Sequence, residues 1–479
     1  MSGPSSPASS ERSLHHALLS IHFIIVGGGA SGLCAALSLT RIGHKVTLLE
    51  QDETFEQATQ SGGCIIPPNT VKLLSRWGIR DELFVMSNEM PGMYLTKYDT
   101  DEDMGTHVWD QEFFKEIGGS IRTINYGALR KLLCKAVVDQ GVSPLVTLES
   151  GETLRADVVL GADGQDSVVR KLLLQSEEIE EDVHKYLGRD VYSVFVPGES
   201  MLGDPDLEKL FQESLFHSVL GDGRAMYAYR IPPPPDSGRK VDDYALNMFL
   251  PGEEAGPRWE PIENSVLLDR MGNCWDRWRK LVQRATMIAK SPMTERPLLD
   301  VWVHEHGRVL VIGDAAHVFY PCSIQNTGVA VCDAATLAQL YQHLHHHRQI
   351  NVFLNAFQDI RPARIKYMRA LEFGNLNYQM MSYGPEQEQR DKALRERKRK
   401  GLNALESDSE EEDAVMGTNI TSRWESALST FAFDAEEEAD KWWADWGSLQ
   451  ERAAFSNINT HLSIEVQHVE QTIEAPNSP

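Results

Sequence analysis

Near its start, the chain alternates between apolar and polar segments in a way that predicts a strand, a helix and a second strand. His22 to Val26 is a short apolar run, Ala30 to Arg41 has helical spacing, and Lys45 to Glu50 is a second apolar run. Two strands joined by a helix over this short distance form a βαβ unit, in which the strands are parallel. The pattern predicts another helix at Ala128 to Val138 and a strand that ends at Gly161.

The pattern changes at about residue 185, where short segments rich in β-branched and aromatic residues follow one another. Among these segments are DVYSVFV, SLFHSVL, AMYAYRI and YALNMFL, and turns such as GDGR and IPPPPDSG separate them. Short strands linked by turns are typical of an antiparallel sheet. Val309 to Ile312 then returns to a buried strand, and helices are predicted from about residue 328 to 379. An antiparallel sheet therefore interrupts an α/β pattern.

The two ends of the chain have unusual compositions. Residues 1–20 are predicted to be a flexible tail that begins with many Ser and Pro residues. The basic run RDKALRERKRKG and the acidic block ESDSEEED at 406–413 are interpreted as solvated surface or a disordered insert. The tract HLHHH at 343–347 resembles a metal-binding tract, but neither cysteine nor carboxylate ligands accompany it. We therefore predict no metal site there.

Length, charge and cysteine usage narrow the class of protein. A chain of 479 residues is long enough for two domains and a helical tail. The net charge of -24 argues against a general binder of nucleic acid or anionic membranes, because either would need a basic face. No apolar run approaches the roughly 20 residues that a membrane helix needs, and no signal peptide is predicted. Six cysteines without a CxxC pair favour reduced thiols and a cytoplasmic protein.

The turn after the first predicted strand contains Gly27, Gly29 and Gly32 in the spacing GxGxxG. Gly27 permits the tight turn, Gly29 lets the backbone approach a pyrophosphate, and Gly32 lets the helix pack closely on the strand. The start of the helix offers free N–H groups and a positive dipole to phosphates. Glu50 ends the second strand 18 residues after Gly32, close to the spacing at which an acid binds a ribose hydroxyl. These features predict a dinucleotide site.

Two further strand ends carry an acid. Gly161-Ala162-Asp163-Gly164 follows a predicted strand and precedes Ser167 and Arg170, a pattern that by itself indicates a turn with a helix cap. Gly313-Asp314 ends a later strand, and Gln325 to Gly328 opens a helix. An acid at a strand tip can bind sugar hydroxyls, and a helix start can stabilise negative charge on a heteroaromatic ring.

In this order, the three motifs resemble those of the class A, single-component FAD-dependent monooxygenases, the salicylate-hydroxylase-like group in its fungal type. That family has GxGxxG, then a DG motif like Gly161 to Arg170, then a GD motif like Gly313 to His317 with a proline four residues on, here Pro321. The resemblance runs from about residue 22 to 445. It implies an α/β fold in which a Rossmann-like FAD-binding domain is interleaved with an antiparallel β-sheet substrate domain, followed by C-terminal helices.

The resemblance also implies FAD contacts and domain ranges. The first glycine turn would hold the ADP half, Asp314 would bind the ribityl–pyrophosphate region, and the helix near Gly328 would face the isoalloxazine ring. The implied FAD contacts are Gly27, Gly29, Gly32, Glu50, Arg130, Asp163, Asp314, Gln325 and Gly328. The implied ranges are a tail at 1–20, a first segment of the FAD-binding domain at 21–184, the substrate-binding sheet at 185–300, a second segment of the FAD-binding domain at 301–350, and a C-terminal helical region with an acidic insert and tail at 351–479.

Three positions depart from the family pattern. The ribose-binding acid is followed by Gln51-Asp52, where the family often has an arginine. The usual Arg-x-Asp-Leu is Tyr126-Gly127-Ala128-Leu129, and Arg130 or Arg122 is expected to replace the missing arginine. The usual Gly-Gln-Gly after the proline is Ile324-Gln325-Asn326, in which the asparagine tolerates a left-handed conformation.

The family chemistry implied is aromatic oxygenation, with FAD as cofactor and NAD(P)H as co-substrate. NADH or NADPH would reduce FAD, O2 would add at C4a of the flavin to give a hydroperoxide, and one oxygen atom would pass to the substrate. The implied substrate is a small or medium aromatic, phenolic or benzoate-like, oxidised with or without loss of CO2 in secondary metabolism. A base helps to activate phenols, and His217, Tyr227 and Tyr229 on the predicted sheet are the candidate catalytic residues.

Two alternatives stay open at this point. One is an FAD-dependent epoxidase, halogenase or other oxidoreductase on the same fold, although CWDRWRK does not match the spacing of the halogenase Trp-x-Trp element. The other is a non-catalytic flavin-binding protein, which is considered because Tyr126 stands where the family has an arginine. The expected partners are an aromatic small molecule and O2, with no nucleic acid and no integral membrane segment.

Overall fold

A computed structural model describes residues 15–52, 62–142, 145–146, 153–176, 184–213, 215–405, 429–449 and 451–452. Within these ranges the chain forms sheets of five, eight and three strands with helices packed around them. The strands are β1 (His22–Val26), β2 (Lys45–Glu50), β3 (Gly63–Ile66), β4 (Ser87–Glu89), β5 (Gly92–Lys97), β6 (Asp103–Val108), β7 (Arg122–Asn125), β8 (Leu145–Val146), β9 (Val158–Gly161), β10 (Lys185–Val196), β11 (Phe216–Leu220), β12 (Ala225–Ile231), β13 (Asp243–Pro251), β14 (Glu260–Pro261), β15 (Met287–Glu295) and β16 (Val309–Val311). The helices are α1 (Ala30–Arg41), α2 (Pro68–Arg76), α3 (Arg80–Val85), α4 (Gln111–Ile117), α5 (Tyr126–Asp139), α6 (Val168–Ser176), α7 (Pro205–Gln212), α8 (Asn264–Arg270), α9 (Asp276–Gln283), α10 (Asn326–Tyr341), α11 (Gln349–Gln379), α12 (Pro385–Lys400) and α13 (Ala435–Trp442).

The five-stranded sheet has the order β16-β9-β1-β2-β8, and each neighbouring pair is parallel. The pairing of β1 with β2, from His22 opposite Lys45 to Val26 opposite Leu49, confirms the predicted βαβ unit. Because the strands are parallel, their carboxyl ends meet at the same edge of the sheet. The three motifs follow β1, β9 and β16, so this topology gathers them at that edge.

Helix α1 is buried between the five-stranded sheet and the helices α5 and α10. Its sequence, ASGLCAALSLTR, is rich in small residues, and every residue from Gly32 to Leu39 is buried. Small side chains let helices approach closely, and the Ser38 hydroxyl donates to the Ala334 carbonyl of α10 at 3.3 Å. This packing fixes the start of α1 at the carboxyl edge of the sheet.

The eight-stranded sheet has the order β14-β15-β10-β13-β12-β11-β5-β6. Its central pairs are antiparallel, as the short segments after residue 185 predicted. Strands β5 and β6, however, come from the range 21–184 that was assigned to the FAD-binding domain, and β5 pairs with β11 in parallel. The sheet therefore extends beyond the predicted range 185–300, because a parallel pairing between distant segments leaves no local turn signal.

The two faces of this sheet bury different side chains. His217 lies opposite Ala228, one residue out of step with Tyr227 and Tyr229. Because side chains alternate along a strand, the two tyrosines share one face and His217 lies on the other. The tyrosine face packs against α11, and the histidine face packs against Trp278 of α9.

The three-stranded sheet, β3-β7-β4, packs against the eight-stranded sheet. Strand β3 contacts β10 and β13 of the eight-stranded sheet on one side and α10 on the other. A Cβ atom at Gly63 of β3 would lie 2.6 Å from the ring of Tyr229 and 2.5 Å from the Cβ of Ala245. The backbone of β3 therefore lies directly on the tyrosine face.

Helix α12 covers the β5 end of the eight-stranded sheet. Arg390 and Asp391 of its basic run are buried, and Asp391 Oδ2 accepts a hydrogen bond from Lys97 Nζ of β5 at 2.6 Å. The interpretation of this run as solvated surface is therefore wrong for one face of the helix, since composition does not reveal which charges are paired. The acidic block at 406–413 lies outside the described residues.

The histidine tract at 343–347 lies beside α13 and the turn that follows it. The rings of His343 and Trp443 stack with centroids 4.5 Å apart, and His345 Nδ1 lies 3.0 Å from Glu451 Oε1. Across the described ranges, no group of three or more His, Cys, Asp or Glu side chains could hold a metal ion. In that same portion of the chain, no helix has the length and apolar character needed to cross a membrane.

Candidate active site

A cavity of about 740 Å³ begins at the carboxyl edge of the five-stranded sheet and reaches the face of the eight-stranded sheet. Its wall is formed by the three motif turns, the end of β2, strand β3, the loop that precedes α10, and Ser193 of β10. Small-molecule sites usually have volumes of about 300–1,000 Å³. The fold therefore brings the motifs and the antiparallel sheet to one ligand-sized space.

Two of the three glycines in the turn after β1 leave no room for a side chain. Gly27 has a φ of +107°, and a Cβ atom there would lie 2.3 Å from the Ala162 carbonyl oxygen. A Cβ atom at Gly32 would lie 1.8 Å from the Gly27 carbonyl oxygen. At Gly29, by contrast, a Cβ atom would meet nothing within 4 Å, because this residue faces the cavity. Gly27 and Gly32 thus permit close packing, whereas Gly29 leaves open space at the start of α1.

Glu50 lies beside this turn at the end of β2, and both of its carboxylate oxygens are engaged. Oε2 accepts a hydrogen bond from the Gly28 N–H at 2.5 Å, and Oε1 accepts one from the Asp52 N–H at 2.9 Å. Hydrogen bonds to an ionised acceptor are strong and fix its orientation. A carboxylate has further lone pairs, so Glu50 can still accept a hydrogen bond from a ligand hydroxyl.

Arg130 brings a positive charge to the cavity from the second turn of α5. Its guanidinium nitrogens lie 3.4 Å from Asp52 Oδ2 and 3.8 Å from Glu50 Oε2. It also donates a hydrogen bond to the Gly28 carbonyl oxygen at 3.3 Å. Arg130 therefore spans the glycine turn and the two acids that follow β2.

Arg122, the other candidate for the missing arginine, points away from the cavity. Its guanidinium donates to the Ser87 hydroxyl at 2.6 Å and lies 4.0 Å from the centroid of the Phe84 ring. These contacts join β7 to β4 and α3, so only the position of Arg130 suits the predicted role. Tyr126, at the position where the family has the arginine, lines the cavity itself. Burial raises the pKa of its hydroxyl to about 12.

Asp163 lines the cavity but also caps α6. Its carboxylate accepts hydrogen bonds from two N–H groups at the start of that helix, at 2.7 and 3.2 Å, and from the Ser167 hydroxyl. Arg170 in the same helix donates to the carbonyl oxygens of Ala315 and Ala316, both at 3.0 Å. The DG motif therefore supports the turn of the GD motif.

Asp314 lies at the tip of β16, half-buried in the cavity wall. Burial raises the pKa of its carboxyl, while the charge of Arg258 and a hydrogen bond from the Asn326 side chain act in the opposite direction. The preceding Gly313 packs so closely on α1 that a Cβ atom there would lie 2.0 Å from the Ser31 hydroxyl oxygen. The GD turn is thus seated directly against the start of α1.

A buried group of charges holds the GD turn from behind. Asp333 of α10 accepts hydrogen bonds from the Gly313 N–H at 2.9 Å and from Arg361 Nε at 2.8 Å, and His317 Nε2 lies 2.6 Å from it. Burial alone would raise the pKa of Asp333, but His317, Arg361 and the Gly313 N–H together lower it. His317 therefore supports the turn and is not part of the cavity wall.

Gln325 and Gly328, two of the predicted FAD contacts, lie behind the cavity wall. Helix α10 begins at Asn326, and a Cβ atom at Gly328 would lie 2.7 Å from Pro67 Cγ, so this glycine permits packing against α2. The prediction for these two residues is corrected, because a helix start identified from sequence does not show which side faces the ligand. The residues of this helix that line the cavity are Asn326, Thr327 and Ala330.

The structure separates the three candidate bases. His217 lies on the sheet face away from the cavity, where its Nε2 is 2.7 Å from Glu213 Oε2 and its ring packs on Trp278. Its candidacy as a base acting in the cavity is therefore corrected: strand alternation turns its side chain into the opposite core. On the other face, the Tyr227 hydroxyl accepts a hydrogen bond from Gln379 Nε2 of α11 at 2.8 Å.

Tyr229 is the candidate that lies nearest to the cavity wall. Its ring packs against Gly63, which lines the cavity, and its hydroxyl accepts a hydrogen bond from Asn247 Nδ2 at 2.9 Å. Burial raises the pKa of both Tyr227 and Tyr229 above the usual value for tyrosine. Neither hydroxyl is therefore suited to act as a base near neutral pH.

The sequence patterns did not identify several residues of the cavity wall. Arg258 and Trp259 reach the cavity from the connection between β13 and β14, and Trp259 has a φ of 55°. An Arg-Trp pair in an irregular segment carries no recognisable pattern. Ser193 lies on β10, whose side chains alternate between the two faces of the sheet, and Cys322 directly follows Pro321. Both residues line the cavity. Only knowledge of which sheet face is covered could have identified Ser193.

The residues of the cavity fit a flavin dinucleotide. The space that a Cβ atom at Gly29 would enter lies at the start of α1, whose N–H groups suit a pyrophosphate. Glu50 lies at the end of the neighbouring strand, where an acid can meet a ribose hydroxyl. Asp314 lies across the same cavity with a carboxyl for further hydroxyls. The donor and acceptor set therefore matches both halves of such a cofactor.

Comparison with known proteins agrees with this geometry. Residues 20–145 match the family model of the FAD binding domain. The FAD-dependent monooxygenase OpS4 of Beauveria bassiana (strain ARSEF 2860) is 24% identical over 396 residues, which cover 78% of this chain and 89% of the relative. The 6-hydroxynicotinate 3-monooxygenase of Pseudomonas fluorescens is 26% identical over 367 residues, which cover 71% of this chain and 88% of that protein.

A solved salicylate hydroxylase substrate complex shares the fold. It superposes with a TM-score of 0.64 at 18% identity and covers 88% of this chain and 97% of the other. The predicted arrangement of a parallel nucleotide-binding sheet and an antiparallel sheet is thereby confirmed.

In class, the chain is a FAD-dependent monooxygenase with FAD as its cofactor. Within that class it is similar to the salicylate-hydroxylase-like enzymes, which confirms the resemblance drawn from the three motifs.

Proposed function

We propose that this chain transfers one oxygen atom of O2 to a small or medium aromatic substrate that carries a hydroxyl group, with NAD(P)H as co-substrate. The observation that carries this proposal is the continuous cavity between the glycine turn after β1 and Ser193 on the antiparallel sheet. A cofactor at the first end and an aromatic ring at the second would share one space, and oxygen transfer requires that proximity.

At the cofactor end, individual residues have distinct proposed roles. The N–H groups beside Gly29 would bind the pyrophosphate, and Glu50 would accept a hydrogen bond from a ribose hydroxyl. Arg130 would balance negative charge near the glycine turn, and Asp314 would contact the ribityl–pyrophosphate region. FAD held by these residues would supply the redox chemistry of O2 activation, with NAD(P)H as the reductant.

At the substrate end, the sheet face offers both a hydrogen-bond donor and an acceptor. Because Asn247 Nδ2 donates to the Tyr229 hydroxyl, the Tyr229 O–H remains able to donate. Asn247 Oδ1 is buried and has no hydrogen-bond partner within the described ranges. Ser193 lies directly opposite Asn247 in the β10–β13 pair and lines the cavity. A substrate hydroxyl, which both donates and accepts, would satisfy this pair.

Tyr229 is proposed to position the substrate rather than to remove its proton. Since burial raises its pKa, the hydroxyl stays protonated at neutral pH and can donate to the substrate oxygen. Burying an unpaired amide oxygen is costly, so the acceptor at Asn247 favours ligands that carry a donor. Analogues without the ring hydroxyl would leave both groups unpaired and should be rejected.

The names of similar proteins support a hydroxylated aromatic acid as substrate. One relative acts on 6-hydroxynicotinate, and the solved neighbour is a salicylate hydroxylase. Each of these two substrates combines an aromatic ring with a hydroxyl and a carboxyl group. Loss of CO2 during oxygenation is a finer prediction, which applies where the carboxyl group lies on the carbon that receives oxygen.

A substrate panel tests the proposed reaction. Purified, FAD-loaded protein is given phenols, hydroxybenzoates and hydroxypyridine carboxylates with 18O2 and either NADH or NADPH. We expect one labelled oxygen atom in the product and NAD(P)H consumption equal to product formed. Peroxide as the sole product with every aromatic, together with oxygenation of an alkene or a non-aromatic ketone, would overturn the aromatic assignment.

We also propose a cytoplasmic location. The six cysteines are free, which suits a reducing compartment. Fractionation of cells that produce the full chain tests this, and recovery in a secreted or membrane fraction would contradict it.

A further inference from the structure

A buried carboxylate on α11 contacts the loop that leads into α10. Oε2 of Glu372 accepts a hydrogen bond from the Ile324 N–H at 2.8 Å and a longer one from the Gln325 N–H at 3.4 Å. The Tyr320 hydroxyl donates to the same oxygen at 3.3 Å and to the Glu372 carbonyl at 3.2 Å. Only 3% of Glu372 is exposed, so these donors come from one loop to an acceptor that water hardly reaches.

This loop, residues 320–325, forms one section of the cavity wall. Pro321, Cys322 and Ser323 line the cavity, and the helix start that follows contributes further residues. Cys322 has a φ of 60°, a left-handed conformation that is unfavourable for a residue with a side chain. Such a conformation persists only where surrounding contacts hold it. The hydrogen bonds to Glu372 supply contacts of that kind on both sides of Cys322.

We infer that Glu372 is a positioning residue, which holds the loop 320–325 in the conformation that forms the cavity wall between Asp314 and α10. The inference rests on the proposed function in one respect, namely that this wall faces bound FAD and substrate. Glu372 itself does not line the cavity. It acts through the backbone of the loop, and no motif of the sequence analysis includes it.

The surroundings of Glu372 make its hold on the loop dependent on pH. Burial raises its pKa to about 7, and the Gln325 and Ile324 N–H groups and the Tyr320 hydroxyl act in the opposite direction. The titratable groups that face it are Tyr320 from the loop and Tyr227 from β12, and burial raises the pKa of both above the usual value. As pH rises through about 7, the carboxylate becomes charged and accepts its hydrogen bonds more strongly.

Hydrogen exchange of the loop is the direct test of the positioning role. In FAD-loaded Glu372→Ala, the amides of Ile324 and Gln325 should exchange at least about tenfold faster than in wild type, because charge-assisted hydrogen bonds are lost. Glu372→Gln keeps an acceptor oxygen and should retain most of the protection. Gln379→Ala is the matched control, since it lies on the same helix and bonds Tyr227 instead of the loop. Unchanged exchange in Glu372→Ala, or equal acceleration in Gln379→Ala, would overturn the inference.

The pH dependence provides a second readout. The visible spectrum of bound FAD and its dissociation constant should show a transition near pH 7 in wild type that Glu372→Gln removes. A transition that persists in Glu372→Gln would mean that another group causes it and would overturn the pH dependence inferred for Glu372. Failure of the proposed function is distinguishable. Protein that binds FAD but oxygenates no aromatic would contradict the reaction, while loop exchange would still decide the role of Glu372.

Discussion

The two ends of the cavity are built in different ways. At the cofactor end, the site consists of turns after parallel strands, and Gly27 and Gly32 are pressed against neighbouring backbone. At the proposed substrate end, the wall includes the side chain of Ser193 from the middle of an antiparallel strand. Side chains on a sheet face can change without loss of the backbone ladder. Cofactor binding is therefore tied to the fold, whereas substrate choice can vary by substitution.

The largest difference between the two ends is expected from replacing Arg361, which lies behind the GD turn. Arg361→Ala would remove the guanidinium that pairs with the buried Asp333 carboxylate and leave only His317 beside it as a basic side chain, so the free energy of unfolding should fall by about 3–5 kcal/mol. At the sheet end, Tyr227→Phe removes one hydrogen bond and should cost about 1 kcal/mol. Urea denaturation followed by circular dichroism measures both. Equal losses would show that the two ends are stabilised alike.

The pH dependence of stability sharpens the same contrast. The pKa of Asp333 is lowered in the folded state, so its contribution is present above its unfolded pKa of about 4 and is lost as pH falls through the folded value. The pKa of Glu372 is raised to about 7 in the folded state. Its contribution to the free energy of unfolding is therefore fully present below its unfolded pKa of about 4.3 and is lost as pH rises from there through 7. Melting temperatures across pH should therefore show separate acid and neutral limbs. Asp333→Asn should flatten only the acid limb, and Glu372→Gln only the neutral one.

At the cofactor end, Gly29→Ala should weaken FAD binding without unfolding the protein. The new methyl group meets no protein atom within 4 Å, but it projects into the cavity where a pyrophosphate is expected. We expect the FAD dissociation constant to rise about 10- to 100-fold, equivalent to roughly 1.4–2.8 kcal/mol. Glu50→Ala should also raise it.

Gly374→Ala is the matched control for that substitution. Gly374 also has open space for a Cβ atom, but it lies on α11 outside the cavity wall. Fluorescence titration of apoprotein with FAD checks all three variants. Unaltered affinity in Gly29→Ala would place the pyrophosphate elsewhere.

At the substrate end, Tyr229→Phe should affect hydroxylated substrates and leave FAD affinity unchanged. Loss of the O–H donor should raise KM for a hydroxylated aromatic about tenfold, the equivalent of one hydrogen bond of roughly 1.4 kcal/mol. Tyr227→Phe is the control, because the Tyr227 hydroxyl is engaged by Gln379. If the two variants behave alike in steady-state kinetics, the donor is not specific to Tyr229.

The smallest effect is expected from deletion of the acidic block at 406–413. Its composition predicts a solvated insert, and such segments make few buried contacts. Product formation and melting temperature should match those of the full chain. Loss of soluble, flavin-loaded protein would show that the block is structural.

The sequence predicted the strand-end turns because each leaves a local pattern. Gly27, Glu50 and Asp314 reach one cavity as expected, since parallel pairing of β1, β9 and β16 follows from the βαβ pattern. His217 was misplaced because the sequence does not show which face of a strand is covered.

Other features of the site could not be predicted because they depend on tertiary packing. Whether Gln325 and Gly328 face the cavity depends on how the start of α10 is rotated about the helix axis, which the sequence does not show. Glu372 and Arg258 act from segments distant in the chain, and only the packed structure brings them to the loop and the cavity.

The position of β9 between β1 and β16 has a consequence for biosynthesis. The five-stranded sheet lacks its edge strand β16 until Val311 has left the ribosome, whereas the other four strands lie within the first 161 residues. During that interval, one edge of β9 has no partner, and unpaired edges promote association between chains. Pairings between distant segments also slow folding. A fragment that ends at residue 145, the end of the matched FAD binding domain, lacks both β9 and β16 and leaves one edge of β1 without its partner. It is therefore expected to aggregate rather than bind flavin, and nascent chains should depend on chaperones until β16 is made.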